Sequence, residues 1–267
     1  MTIPNLSPKA LARTYSSPTH ADPWEAVEDY QEYLEVSARN PQSGSSALSS
    51  KMEMPRGRIR SWMNGSKPDP ARAVAVAEER DWFTDDPHSQ TFRGLNRLVA
   101  WIFSGGSIND LFVPQFAVDD PTSMARVTDA LDAVGIDHRL QRENEQGRAT
   151  EVVPTDHGSV LGRALVVMGA PQGQKAEQSN LSLPIYLDDA PERVRREFVD
   201  VYLRNRASRQ DDRLAIRFRE QRSERYLMGL ASLIEGVADA PVTVSEKNVY
   251  LSSEASEGLY GKLNRPF

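Results

Sequence analysis

Arginine is the residue type best equipped to do chemistry in this 267-residue sequence. Cysteine is absent, and the four histidines (His20, His88, His138 and His157) stand without metal-ligand spacing. Only six of the 32 Lys and Arg residues are lysine. That composition excludes disulfides, thiolate zinc sites and cysteine nucleophiles. A guanidinium fork, by contrast, bonds a phosphate or a guanine edge bidentately. Two stretches present it in an ordered way. In Pro55–Met63, PRGRIRSWM, Arg56 and Arg60 share one helical face with Arg58 beside them, while Ile59 and Trp62 face the other way. In Arg213–Glu220, RLAIRFRE, Arg213, Arg217 and Arg219 alternate with Leu214, Ile216 and Phe218, giving a strand one basic and one apolar face. Arg139 and Gln141 repeat the alternation around Leu140, with Arg142 expected on the opposite face.

The elements that must position these side chains begin after an arm. Residues 1–21 carry Pro4, Pro8 and Pro18 among small polar residues and read as loosely held. Asp22 before Pro23 caps a helix whose buried stripe is Trp24, Val27, Tyr30, Tyr33, Leu34 and Val36. Ser43–Lys51 is a short helix, Met52–Met54 a tight turn, and Pro55–Met63 a second short helix stopped by Asn64-Gly65. An alanine-rich helix, Pro70–Arg80, follows, with Trp82 and Phe83 packing after it. Helix, short helix, turn, helix is the helix-turn-helix order, whose second member lies in the major groove. Arg56, Arg58 and Arg60 would then meet DNA, with Lys51 and Lys67 among the contacts.

Beyond a linker at Asp85–Gln90, one order of elements occurs twice. A helix at Leu95–Gly105 leads to a strand at Leu111–Val118. A helix capped by Asp120 follows, with Met124, Val127, Leu131 and Val134 on its buried face. Strands at His138–Glu143 and Arg148–Pro154 and a helix within DHGSVLGRALVVMGAP complete the set. The second set runs through a helix at Glu192–Asn205, the strand Arg213–Glu220, a helix at Ser223–Val237, strands at Val242–Glu246 and Val249–Ser252, and a last helix from Glu254. The helices that open the two sets carry Leu98–Ile108, LVAWIFSGGSI, and Phe198–Ser208, FVDVYLRNRAS, 100 residues apart. Repetition at that scale reads as one unit built twice.

At these two stretches the chain resembles the LAGLIDADG homing-endonuclease family. Leu98–Gly106 fill the nine motif positions in order, with Ser107 and Ile108 as the continuation. Gly169, Gly173 and Lys175, then Leu183-Pro184 and an acidic helix start, resemble the connector of single-chain members. Lys175 has the wrong spacing for a P-loop and no following Ser or Thr, so no nucleotide site is expected there. The resemblance implies an α+β chain: an all-α helix-turn-helix domain at 1–90, then a pseudo-two-fold αββαββα repeat domain at 91–267, divided near 180, with two sheets facing DNA. It implies contacts from Arg139, Gln141, Lys175, Arg213, Arg217, Arg219 and Lys247. In the family each motif helix ends in an acid that holds a divalent metal for phosphodiester cleavage. Gly105 and Asn205 occupy those positions here, and the nearest carboxylates, Asp110 and Asp200, lie beyond the helix end or half-way up it. No metal, no cofactor and no nuclease activity are therefore expected. Ala100, Ser104 and Gly105 allow close helix approach, whereas the larger Asp200, Arg204 and Asn205 predict a looser contact. A degenerate module of this kind beside a helix-turn-helix also resembles the WhiA class of bacterial regulators, with the domain order reversed.

The net charge of −6 does not decide against DNA, because the arginines are concentrated on particular faces. Few lysines beside many acids is a composition found in salt-adapted organisms. No apolar run reaches eighteen residues and MTIPNLSPKALARTY has no apolar signal core, so a cytoplasmic protein without a membrane span is expected. The reading is a non-catalytic, sequence-specific binder of double-stranded DNA, a transcriptional regulator acting as a monomer with an internal pseudo-dimer. Three alternatives stand beside it: an active endonuclease with displaced metal ligands, an RNA binder of the maturase kind, and a protein scaffold.

Overall fold

Residues 6–143, 145–175, 178–207 and 215–260 are described by a computed structural model, and they divide into two units, 6–79 and 80–260. The first is all helical: α1 (Pro8–Ala12), α2 (Pro23–Arg39), α3 (Ser45–Met52), α4 (Arg56–Met63) and α5 (Asp69–Glu79). Trp62 is buried at its centre, edge-on to Tyr30 at 5.4 Å and tilted against Tyr33 at 5.3 Å between ring centroids. Such aromatic contacts add to the area term that dominates core burial. Asp22 caps α2 as its sequence predicts, accepting from the Trp24 amide. Two expectations fail here. The arm is not loose throughout, because Ser7 caps α1 and Leu11 is fully buried. Leu34 is 49% exposed, because the buried stripe of α2 follows Val27, Tyr30 and Tyr33 onto Trp62.

The second unit begins at Arg80, eleven residues before the expected start at 91. The Trp82 indole is buried and donates to the Val134 carbonyl at 2.9 Å, and Arg80 donates to Gly135 O at 2.9 Å. From there the chain runs α6 (Gln90–Ser104), β1 (Gly106–Ile108), β2 (Pro114–Val118), α7 (Pro121–Ala133), β3 (His138–Gln141), β4 (Thr150–Pro154) and α8 (Gly158–Val167). A short α9 (Tyr186–Asp189) lies in the connector. Then come α10 (Glu192–Arg206), β5 (Ile216–Arg219), α11 (Glu224–Ala238), β6 (Val242–Ser245), β7 (Asn248–Leu251) and α12 (Ser253–Tyr260). The chain is thus a mixed α+β protein with two small antiparallel sheets, ordered β1-β2-β4-β3 and β5-β7-β6. The pairing β2–β4–β3 in the first sheet has its counterpart in β5–β7–β6 of the second.

The first sheet departs from the sequence reading at its entry. Asn109 Oδ1 accepts from the amides of Leu111 and Val113, and Phe112 takes a left-handed φ of +60°, so 111–113 form a turn and the strand starts at Pro114. The three-residue β1 was not legible, since Gly-Ser-Ile carries no alternation. It forms because Gly106 lies so close to β2 that a Cβ would approach Gln115 O to 2.8 Å.

α6 and α10 pack side by side and point the same way. Asn96 Nδ2 donates to Val194 O at 3.0 Å near their N-termini, and Asn205 Nδ2 donates to Ser104 Oγ at 2.9 Å at their C-terminal ends. Phe103 and Phe198 stack obliquely between them, 5.9 Å apart. Tyr186 of α9 donates to Asn96 Oδ1 at 2.7 Å, tying the connector to α6. Of the larger second-helix residues, Asp200 and Arg204 pair with each other at 2.7 Å, and Asn205 makes the contact. No helix among the described residues is long and apolar enough to cross a membrane.

Candidate nucleic-acid interface

Each sheet has one buried and one open face, and register assigns the residues because cross-strand partners share a face. In the second sheet, Ile216, Phe218, Val249, Leu251 and Val242 point inward. Arg217 pairs with Tyr250 and Tyr250 with Thr243; Arg219 pairs with Asn248 and Asn248 with Ser245. The open face is therefore two exposed guanidiniums among a Tyr, an Asn, a Thr and a Ser, with no carboxylate on its strands. Arg217 lies 5.6 Å over the Tyr250 ring, and neither arginine side chain forms an ion pair among the described residues. Arg213 lies outside the described residues.

In the first sheet, Arg139 and Gln141 do share a face, with Gln115 and Ser107, but Val153, the cross-strand partner of Arg139, is buried there, so this face is only partly open. Arg142 does not take the opposite side. Its backbone turns left-handed at +60°, and its guanidinium bonds Glu151 at 2.6 Å. Glu151 is the cross-strand partner of Gln141, so this face carries its own acid.

On the helical unit, α3, a turn through Glu53 (φ +53°) and α4 succeed one another, and Ser49 Oγ closes the turn on Met54 O at 2.6 Å. Ile59 and Trp62 are buried while Arg56 and Arg60 are exposed, as their spacing predicts. Arg56 Nε reaches Ser45 Oγ at 3.3 Å, and the Arg60 guanidinium is unpartnered among the described residues. Arg58 is a correction: it is largely buried and bonds Asp29 at 2.7 Å, with His20 also on Asp29 at 3.0 Å. Its partners lie 29 and 38 residues away, which spacing within α4 cannot reveal. Lys51 bonds Asn40 Oδ1, whereas Lys67 is exposed.

Lys175 is a second correction. It is mostly buried, and its ammonium donates to Ile102 O at 2.6 Å and Gly106 O at 2.7 Å, capping the C-terminal end of α6. Burial, reinforced by Arg222 and Arg206 and opposed by Glu220, pulls its pKa down to about 8. Lys247 likewise holds the Arg222 carbonyl at 2.7 Å.

At the C-terminal ends of α6 and α10, Gly105 supplies no side chain, and a Cβ there would meet Asn205 Nδ2 at 3.2 Å. The acid that the sequence reading missed is Glu220. It is 1% exposed at the end of β5, where Arg206 Nε bonds it at 2.5 Å and Tyr202 OH at 2.9 Å. Tyr226 OH donates on to Tyr202 at 3.3 Å, and burial holds both phenols neutral, well above their usual pKa. Glu220 was legible only as the charged end of an alternating strand. No protein-family model and no curated protein matches the chain.

Proposed function

We propose that the chain is a sequence-specific double-stranded DNA-binding protein, a transcriptional regulator, that binds duplex without cutting it. The observation that carries this reading is the open face of the second sheet, where Arg217 and Arg219 stand exposed among hydrogen-bonding side chains, with no carboxylate on its three strands and no ion pair to either arginine among the described residues. Unpaired guanidiniums on a strand face are free to replace phosphate counterions and to bond base edges. Arg56 and Arg60 on α4, after a short helix and a tight turn, support a helix-turn-helix reading of the first unit. The succession of helix, paired strands, helix, paired strands and helix from α6 to α8, the β5–β7–β6 order that follows α10, and the parallel α6 and α10 support a LAGLIDADG-type reading of the second. It is a degenerate one, in the class of function that WhiA-like regulators represent. Gly105 offers no metal ligand, and Asn205 offers an amide that donates to Ser104. Divalent metals activating water for hydrolysis require hard anionic oxygen at that spot.

Selection of bound duplexes from a random pool, with and without magnesium, tests the proposal. A recovered sequence motif with intact DNA in both conditions is the expected result. Cleaved ends that appear with magnesium would replace it by the endonuclease reading. No enrichment, with retention of structured RNA, would replace it by the maturase reading.

A further inference from the structure

A cleft of about 650 Å³ in the second unit is lined by residues of four helices and by none of the sheet strands. Its walls come from both repeats: Arg97 of α6 and Arg126 of α7 from the first, Arg204 of α10 and Tyr260 of α12 from the second. The volume falls within the range of small-molecule sites, roughly 300–1,000 Å³.

The charges lining it are unequally committed, and of its three carboxylates Asp129, exposed one turn beyond Arg126 on α7, has no ion pair among the described residues. Glu197 is engaged by Arg93 and by Arg97, the latter at 3.3 Å. Asp200 is engaged by Arg204 at 2.7 Å. Arg196 donates to Glu192 and to the carbonyls of Val237 and Gly258, which fixes the end of α12. Arg126 alone of the four guanidiniums has no hydrogen bond or ion pair among the described residues. It is half-buried, and burial together with the neighbouring Arg204 lowers its pKa, Asp200 opposing. A half-buried cation beside a second cation is satisfied by an anion with two oxygens in a plane. Val201, Leu259 and the Tyr260 ring supply an apolar wall for the rest of such a molecule.

We infer that this cleft binds a small organic oxyanion, a carboxylate or a phosphate, with its head on Arg126 and its body against Tyr260. Because the walls belong to both repeats, the occupant bridges the two halves that carry the two sheets. The site is separate from the residues proposed to touch DNA.

Titration calorimetry with phenyl phosphate, benzoate and benzyl alcohol at constant ionic strength tests it. The first two share an apolar ring and differ in the oxyanion; the third keeps the ring and lacks the charge. Saturable binding of at least one oxyanion is expected, with none for the alcohol. The stronger of phenyl phosphate and benzoate identifies the head group. Arg126→Gln should weaken that binding at least tenfold. It should leave Tm unchanged or slightly higher, since Arg126 has no hydrogen bond or ion pair among the described residues to lose, and leave duplex affinity unchanged. Absence of saturable binding by both oxyanions, equal binding by Arg126→Gln, or equal binding of the alcohol would each overturn the inference.

Discussion

The two sheets pair their strands alike and yet present open faces of different electrical character. On the first, Arg142 is folded back onto Glu151, leaving Arg139 as the exposed cation beside Gln141 and Gln115. On the second, Arg217 and Arg219 have no carboxylate within their ladder. They are also tied to their neighbouring long helices differently. The first sheet is joined to α6 through Lys175, whose ammonium bridges the helix carbonyls and β1. The second is joined to α10 through the carboxylate of Glu220, held by Arg206 and Tyr202. Two sheets can thus share a pairing order while the charge of each face is set by single side chains that local turns bring together.

The comparison breaks most severely at Glu220. Replacing it by Ala leaves the buried Tyr202 hydroxyl without its acceptor, while Arg206, partly exposed, stays hydrated; an unsatisfied buried donor costs about 1–3 kcal/mol. Urea unfolding of Glu220→Ala should show that loss, whereas an unchanged midpoint would mean that the network does not hold β5 to α10. Next in size is the asymmetry of the faces. Arg217→Ala with Arg219→Ala should weaken duplex binding by about 100-fold and lower the salt slope by about 2, one for each phosphate contact. Arg139→Ala should weaken it by about threefold. Equal effects from the two sheets would remove the distinction between them.

The anchor of the first sheet is read by pH. The folded pKa of Lys175, about 8, lies below the ordinary 10.5. Between those values the unfolded chain binds the proton more fully, so stability rises with pH. Relative to Lys175→Met, wild type should gain about 2 kcal/mol from pH 7.5 to 9.5 in urea midpoints, a window below the ionisation of free tyrosine. A flat difference would place the ammonium in water. The smallest effect sharpens the contrast from the other side. Glu151→Gln releases Arg142, and the first sheet should then gain about threefold in duplex affinity, to be read by fluorescence anisotropy.

Much of this was legible because it depends on near neighbours in the chain. Asp22 and Asp120 cap helices through their own following amides, and the alternation of Arg217, Phe218 and Arg219 needs only the period of a strand. The helical spacing of Ile59 and Trp62 likewise separated Arg56 and Arg60 from the core. Periodicity misjudged Leu111–Val113, where an Asn side chain outcompetes the ladder for two amides.

The sequence by itself determined most helices and strands and most of their apolar faces, since local hydrogen bonding and hydrophobic period are written in neighbouring residues. Tertiary structure alone decided which cations are free. Arg58 and Lys175 were indistinguishable from contact residues until folding brought Asp29 to the one and the carbonyls of Ile102 and Gly106 to the other. A buried charge must find its partner wherever the fold supplies one, and chain distance carries no record of that.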